Sequence, residues 1–520
     1  MCFEIVDGST VEAVYDNYAR KHPNLLASGK PTVHIDDGAD KFKTLEVYAF
    51  YKGGSKSEPD KGTVLQFVER QGPKCSHMVL PFFQTCAAEF DSISLPMFPD
   101  HWVSNVVDRK QYLSTLEDVL GFKPKVNFNA GVVAAGEAII ESTVTGNAPS
   151  AELRNTQDQL QNRQQIYLPI NNSLSEFGHV HFFIEEVGQG VQHIANRCSD
   201  LVHFIQRAND IREITGRGFA FLRIPRSYYG YLKLTALQAA TGKSETECQQ
   251  LFDELIQRKV VDLHGVTELD VNQDAVLAAC NATGFDFNIV LSVVEEARYD
   301  HMTQLLGDRL SVTELLKIVR NQILIDIQGA DILYQIFTRC ILQDNPRDEA
   351  PFFEFIQRLC DATPVGEEEK AQDASPRRKK LKPGCGGFGI RNFLTLFLSI
   401  EVEKSLRLKE AGVAEQDAAK QQAGDAMVRA LTEQLNVSNP ILTSISDAMT
   451  REDELRTQLL SAHPRDHDKI NAEIAELIAA KERGNQALME VSDKYKNKLQ
   501  SIRAEYEAAA AKTAAANKGS

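Results

Sequence analysis

At 520 residues the chain is long enough for about two to four domains, and 43% hydrophobic with 25% charged residues is the make-up of an ordinary globular protein. A net charge of -15 disfavours non-specific attraction to nucleic acid or an anionic membrane, and no apolar run approaches the length of a membrane span. Nine scattered cysteines with no C-x-x-C pair argue against a disulfide scaffold or a zinc ribbon. With an N-terminus, "MCFEIVDGST", that has neither a basic nor a long apolar leader, they predict a cytoplasmic protein with reduced thiols.

Up to about residue 230 short β-branched and aromatic runs predict strands: "LEVYAFY" (45–51), "TVLQFVE" (63–69), "HWVSNVV" (101–107), "AGEAIIES" (135–142), "QIYLPI" (165–170) and "VQHIANR" (191–197). Apolar residues three and four apart predict helices at "DRKQYLSTLEDVL" (108–120) and "CSDLVHFIQRANDIREIT" (198–215). One strand, one helix, then several strands, occurring more than once, predicts an α+β protein of repeated βαβββ modules rather than a doubly wound sheet. Residues 231–322 read as helical. Strands return at "ILIDI" (323–327), "ILYQIFTR" (332–339) and "PFFEFIQR" (351–358), followed by a polar loop. The remainder reads as helix. An approximate heptad seam runs through Ile470, Ile474, Leu477, Leu488, Val491, Tyr495 and Ile502, interrupted by Lys481, Gly484 and Lys498, and the Ala/Lys-rich end is expected to fray.

Three strands each place one good metal ligand among apolar neighbours: His101 in "PDHWVSNVV", His193 in "GVQHIAN" and Glu354 in "PFFEFIQR". Alternation puts Phe352, Glu354 and Ile356 on one face, where an ionised carboxylate is costly unless paired or bound to metal. Two histidines and a carboxylate are the ligand set of non-haem Fe(II), leaving positions open for substrate and dioxygen. On the residues alone a second reading stands beside this one. A hydrogen-bonded core histidine or a solvent-facing carboxylate accounts for each position singly, and the rest of the twelve histidines compete on equal terms.

Seven stretches in chain order carry a resemblance: "FPDHWVSNVVDRKQYLSTLEDVLGF", "YLPINN", "GQGVQHIA", "IPRSYYGYL", "ILYQIFTR", "PFFEFIQR" and "GCGGFGIRNFLTLF". Together they resemble the 4-hydroxyphenylpyruvate dioxygenases, members of the vicinal-oxygen-chelate superfamily. A weaker match, "LEVYAFYKG" with "TVLQFVER", covers part of that family's N-terminal half. The resemblance implies an open, barrel-like sheet of βαβββ modules and Fe(II) held by His101, His193 and Glu354. It implies substrate contacts from Asn171, Gln192, Gln335 and Asn392, with Phe337, Phe352, Phe388 and Phe393 as aromatic walls. The implied reaction takes a small 2-oxo acid and O2, turning 4-hydroxyphenylpyruvate into homogentisate and CO2. The alternatives are another 2-oxo acid, a hydroxymandelate-forming outcome, or a non-catalytic binding member of the fold. No nucleic acid or membrane partner is expected, and a homodimer is. The expected domains are 1–94 (a shortened N-terminal half), 95–400 (catalytic, with a helical insertion at about 232–302) and 401–520 (a helical extension).

The text departs from the family pattern in places. The family's S-Q-I-Q is replaced by Gly178, His179, Val180 and His181, read here as a strand, with His181 kept as a candidate substrate contact. The family's small Asn-Ser pair is expected at Gly136 and Glu137. The basic run at 376–382 reads as a solvated loop rather than a nuclear-localisation patch. Gly384, Gly386 and Gly389 match the dinucleotide spacing G-x-G-x-x-G, but Pro383 and a basic run precede them instead of a strand. They are expected to form a hinge that carries Phe388 and Phe393 over the iron pocket.

Overall fold

The β-branched and aromatic runs form strands, and their order repeats. Cys2–Glu4 (β1), Val11–Lys21 (α1), Thr32–Ile35 (β2), Lys41–Tyr51 (β3) and Pro59–Gln71 (β4) make a βαβββ module. Its sheet has the order β1-β4-β3-β2, with β1 parallel to β4. The second module runs through Phe98–Asn105 (β5), Arg109–Leu120 (α2), Lys123–Pro124 (β6), Val132–Ala135 (β7), Ala138–Gly146 (β8) and Tyr167–Ser173 (β9). Here β5 lies parallel to β9, and the order β5-β9-β8-β6 repeats that of the first, with β7 paired to β8. After a short helix, His179–Glu186 (α3), the same succession of elements returns in Gly190–Arg197 (β10), Leu201–Thr215 (α4), Leu324–Gln328 (β11), Asp331–Phe337 (β12) and Phe352–Leu359 (β13). The α+β reading with repeated βαβββ modules holds.

This is a computed structural model of the chain. It describes residues 1–5, 9–35, 41–53, 55, 57–71, 98–124, 132–135, 138–146, 166–176, 178–328, 331–339, 349–359, 390–415, 417–459 and 462–518. The chain divides into two compact units, Met1–Ser199 with Cys340–Glu354, and Asp200–Arg339 with Phe355–Ser520.

In the first unit each long helix starts on a side-chain cap: Thr10 accepts from the Ala13 amide and Asp108 from the Gln111 amide. Tyr18 of α1 and Tyr112 and Leu116 of α2 share one core with Leu45, Val47, Phe67 and Ile170 of the strands. The Phe50 and Tyr112 rings meet edge to face, centroids 4.6 Å apart.

In the second unit the predicted helical insertion is present. It comprises Leu234–Thr241 (α5), Glu245–Gln257 (α6), Gln273–Thr283 (α7), Phe287–Glu296 (α8) and Asp300–Leu306 (α9), followed by Val312–Arg320 (α10). Leu237, Leu251, Leu255, Val276, Val290 and Val294 give the insertion a core of its own. Reciprocal capping boxes, Ser244 with Glu247 and Ser311 with Glu314, start α6 and α10. Strands β11 and β12 pair antiparallel in register, Leu324 opposite Gln335.

The C-terminal helices are Ile390–Ala414 (α11), Ala418–Leu459 (α12) and His467–Lys518 (α13). The residues that break the predicted seam are themselves contacts between α12 and α13. Lys481 pairs with Glu452, and Lys498 pairs with Glu433 at 2.5 Å. A Cβ at Gly484 would stand 2.6 Å from Ile445 Cγ1, so only glycine lets the helices approach there. Helix α13 runs to Lys518. Among the described residues no helix is long and apolar enough to cross a membrane.

Candidate metal centre

The three predicted ligands meet inside the first unit. His101 on β5, His193 on β10 and Glu354 on β13 are all buried, and their ligand atoms lie within 4.8 Å of one another. His101 Nε2 stands 3.1 Å and His193 Nε2 3.2 Å from the same oxygen, Glu354 Oε2. The imidazole planes cross at 77°. Antiparallel pairing of β5 and β10 sets His193 opposite Val103 and Ala195 opposite His101, so both rings leave the same face.

Two bulges complete the arrangement. The β5–β10 register skips Gln192 between Val191 and His193, and skips Asp100 between Pro99 and His101. Each skipped residue immediately precedes a histidine. A bulge re-aims a side chain that strict alternation would send to the opposite face. Asp100 Oδ1 thus reaches His101 Nδ1 at 2.9 Å, and Gln192 Oε1 reaches His193 Nδ1 at 2.9 Å. An acceptor on each Nδ1 puts the ring proton there and leaves each Nε2 lone pair facing Glu354.

In that tautomer three electron-pair donors converge, an arrangement that a cation would satisfy. Burial alone would raise the Glu354 carboxyl, but the two histidines outweigh it and hold it down to about 2, so it is anionic at neutral pH. Burial keeps His193 below the usual imidazole range. For His101 burial acts the same way, but Glu354 and Asp100 overcome it and raise the ring. Two imidazoles and one carboxylate fit a divalent metal with open positions. Asp100→Asn keeps the shape and an acceptor but removes the charge behind His101. Metal affinity is expected to fall about 10- to 100-fold, read by competition with a chromophoric chelator.

Around the ligands, the Phe352 ring stacks on His193, centroids 4.8 Å apart and 18° from parallel. Asn171 on β9 donates to Asn105 Oδ1 at 3.3 Å. Three buried atoms here have no hydrogen-bond partner: Asn171 Oδ1, Asn105 Nδ2 and, on the β10 bulge, Gln192 Nε2. Ser142 of β8, also buried, lies opposite Asn171. Beside it, Glu141 pairs with Arg109.

Of the predicted contacts, Gln335, Phe337 and Asn392 belong to the second unit. There Asn392 donates to Gln335 Oε1 at 2.7 Å and accepts from Tyr228 Oη at 3.2 Å. Phe393 lies on α11. His181 is corrected in setting: it stands on helix α3, not a strand, with Nε2 3.3 Å from Glu185 one turn on. Phe388, Gly136, Glu137, the basic run at 376–382 and the glycines at 384, 386 and 389 lie outside the described residues. Asp100, Asn105 and Ser142 were not singled out from the sequence. The only signal for Asp100 was its place next to His101, which alternation would have read as facing away.

No family model matches the chain. Over 134 residues it is 34% identical to the 4-hydroxyphenylpyruvate dioxygenase of Hordeum vulgare, covering 25% of this chain and 27% of that one. The chain resembles 4-hydroxyphenylpyruvate dioxygenase. The Arabidopsis thaliana dioxygenase of that name is 36% identical over 128 residues, 24% of this chain and 25% of its own. The matches thus span about a quarter of the length of these curated relatives. Among solved structures, a mutant 4-hydroxymandelate synthase from Streptomyces coelicolor aligns over 78% of this chain and 76% of its own, with 16% identity and a TM-score of 0.42. A fusion of a xylose isomerase-like TIM barrel with a 4-hydroxyphenylpyruvate dioxygenase aligns over 71% of this chain and 39% of its own, with 15% identity and a TM-score of 0.30.

Proposed function

We propose that His101, His193 and Glu354 hold Fe(II) and that the chain is a dioxygenase converting 4-hydroxyphenylpyruvate and O2 to homogentisate and CO2. The observation that carries this reading is the buried convergence of two Nε2 lone pairs on one carboxylate oxygen. Bound Fe(II) would supply two-point attachment for a 2-oxo acid and activation of dioxygen, and the 2-oxo acid brings the reducing electrons, so no nucleotide is required.

The chain's own residues have separable tasks. Asp100 and Gln192 fix the two imidazoles. Phe352 covers the face of His193 and keeps water from it. Gln192 Nε2 is a free donor and Asn171 Oδ1 a free acceptor, both buried. Leaving such atoms unmatched costs about 1–3 kcal/mol each, which a polar ligand recovers. An anionic or phenolic oxygen suits the donor and a substrate hydroxyl suits the acceptor. His181, Gln335, Phe337, Phe388, Asn392 and Phe393 carry the same proposed role through the resemblance. The division at about residues 95 and 401 is part of the same proposal.

Protein reconstituted with Fe(II) under argon, then given O2 and 4-hydroxyphenylpyruvate, is expected to consume oxygen and release homogentisate, identified by chromatography. 4-Hydroxymandelate as product, or uptake with a different 2-oxo acid only, would move the reaction to a sister activity. No uptake with any 2-oxo acid by iron-loaded protein would overturn the enzyme reading.

A further inference from the structure

A second concavity, of about 330 Å³, lies wholly in the second unit. It forms where the end of α4, the segment 220–223, the end of α10 and the residue after Thr338 converge. Arg212, Arg223, Arg320 and Arg339 line it together with Asn209 and Asn321, and among the described residues no carboxylate lines it. In a chain of net charge -15 such a lining is not a sample of the average surface.

The frame behind these arginines is fixed by backbone. The Leu222 amide donates to Phe337 O and the Arg339 amide to Ala220 O, both at 2.8 Å, so an isolated bridge from Phe221 to Thr338 ties 220–222 to the end of β12. Gln322 holds the other side. It takes the left-handed conformation, φ 54°, at a helix end where glycine is usual. Its Oε1 accepts from the Ile224 amide at 3.0 Å, a bond glycine would not supply. Asn209 and Asn321 are hydrogen-bonded to each other at 3.3 Å.

Two of these arginines, Arg320 and Arg212, are only loosely committed. Arg320 pairs with Asp270 at 2.9 Å, with side chains 53% and 82% exposed. Arg223 pairs with Glu410 at 2.8 Å, with 34% and 60% exposed. Exposed pairs of this kind contribute about 0–1 kcal/mol and yield readily to a better ligand. Arg212 gives one bond to Gly218 O, at 3.2 Å. Cations at helix C-termini account for Arg212 and Arg320 singly. Arg223 and Arg339 reach the same concavity from outside the helices, and Glu410, which bonds Arg223, also feels the charge of Arg339.

We propose that this concavity is a binding site for a small multivalent oxyanion, a phosphate-bearing or polycarboxylate metabolite. A guanidinium fork can bond two oxygens of a carboxylate or of a phosphate at once, and a volume near the lower end of small-molecule sites suits a ligand of that size. None of its lining residues is a proposed metal ligand. Its occupant would brace the end of β12, the strand that carries Gln335 and Phe337.

Calorimetric titration of the full chain with inorganic phosphate and, separately, with malonate tests this, with ionic strength held constant by sodium chloride. Saturable binding of at least one anion is expected, and which one binds separates phosphate from carboxylate chemistry. Arg320→Gln and Arg212→Gln, both at exposed positions, are each expected to weaken binding about tenfold while leaving metal affinity unchanged. Absence of saturable binding by either anion, or equal binding by wild type and both variants, would overturn the proposal.

Discussion

Glu354→Ala is expected to abolish metal binding and turnover together. The substitution removes the one anionic donor and leaves two neutral imidazoles, whose Nε2 atoms converge on a point where Oε2 no longer stands. Two monodentate nitrogens hold a divalent cation far less tightly than two nitrogens and a carboxylate, so affinity should fall by more than about a hundredfold. The fold should survive, because Asp100 and Gln192 still hold the rings from behind. Metal content after dialysis and the oxygen-electrode trace report the loss, and an unchanged far-ultraviolet circular dichroism spectrum shows that folding is not the cause. Full metal content in this variant would place the metal elsewhere.

Arg109→Ala is expected to be the more damaging change for stability. The Arg109 side chain is 9% exposed at the start of α2 and ties three residues of β8 and β9. Nη2 meets Glu141 Oε1 at 2.5 Å, Nε donates to Asn172 Oδ1 at 3.0 Å, and Nη1 donates to Thr143 Oγ1. Removing one partner of a buried pair leaves the other charge uncompensated, at a cost of about 3–5 kcal/mol. Glu141 keeps 30% of its side chain in water. That softens the loss to about 2–3 kcal/mol. Thermal unfolding should shift down by roughly 5–10 °C. Because β9 also carries Asn171, iron-loaded Arg109→Ala should show a raised KM before any loss of metal. A shift below about 1 °C would mean that the cluster contributes nothing net.

The repeated module was readable because strand runs and amphipathic stretches keep the same order each time, and three such successions are present. His101, His193 and Glu354 were readable only through the order of the surrounding motifs, since spacing alone gave each a rival explanation as core or surface. What alternation could not foresee are the two bulges. A period of two sends Asp100 and Gln192 away from the histidines that follow them, and one extra residue in each strand brings them back. Helix α3 was misread because Val180, Phe182 and Ile184 alternate with other residues as a strand would. The helical period instead buries His179, Val180 and Phe183. In the C-terminal helices, Lys481, Gly484 and Lys498 looked like defects in a seam. They turn out to be cross-helix partners, a property of the neighbouring helix that no single-helix pattern contains.

The central claim is that one divalent ion sits among His101, His193 and Glu354. A crystal structure of the chain grown anaerobically with Fe(II), with anomalous data collected at the iron edge, tests it most directly. The account predicts a single strong anomalous peak per chain, about 2 Å from His101 Nε2, His193 Nε2 and Glu354 Oε2, with both Nδ1 atoms still bonded to Asp100 and Gln192. A peak coordinated by other residues, or no peak in protein saturated with iron, would contradict it.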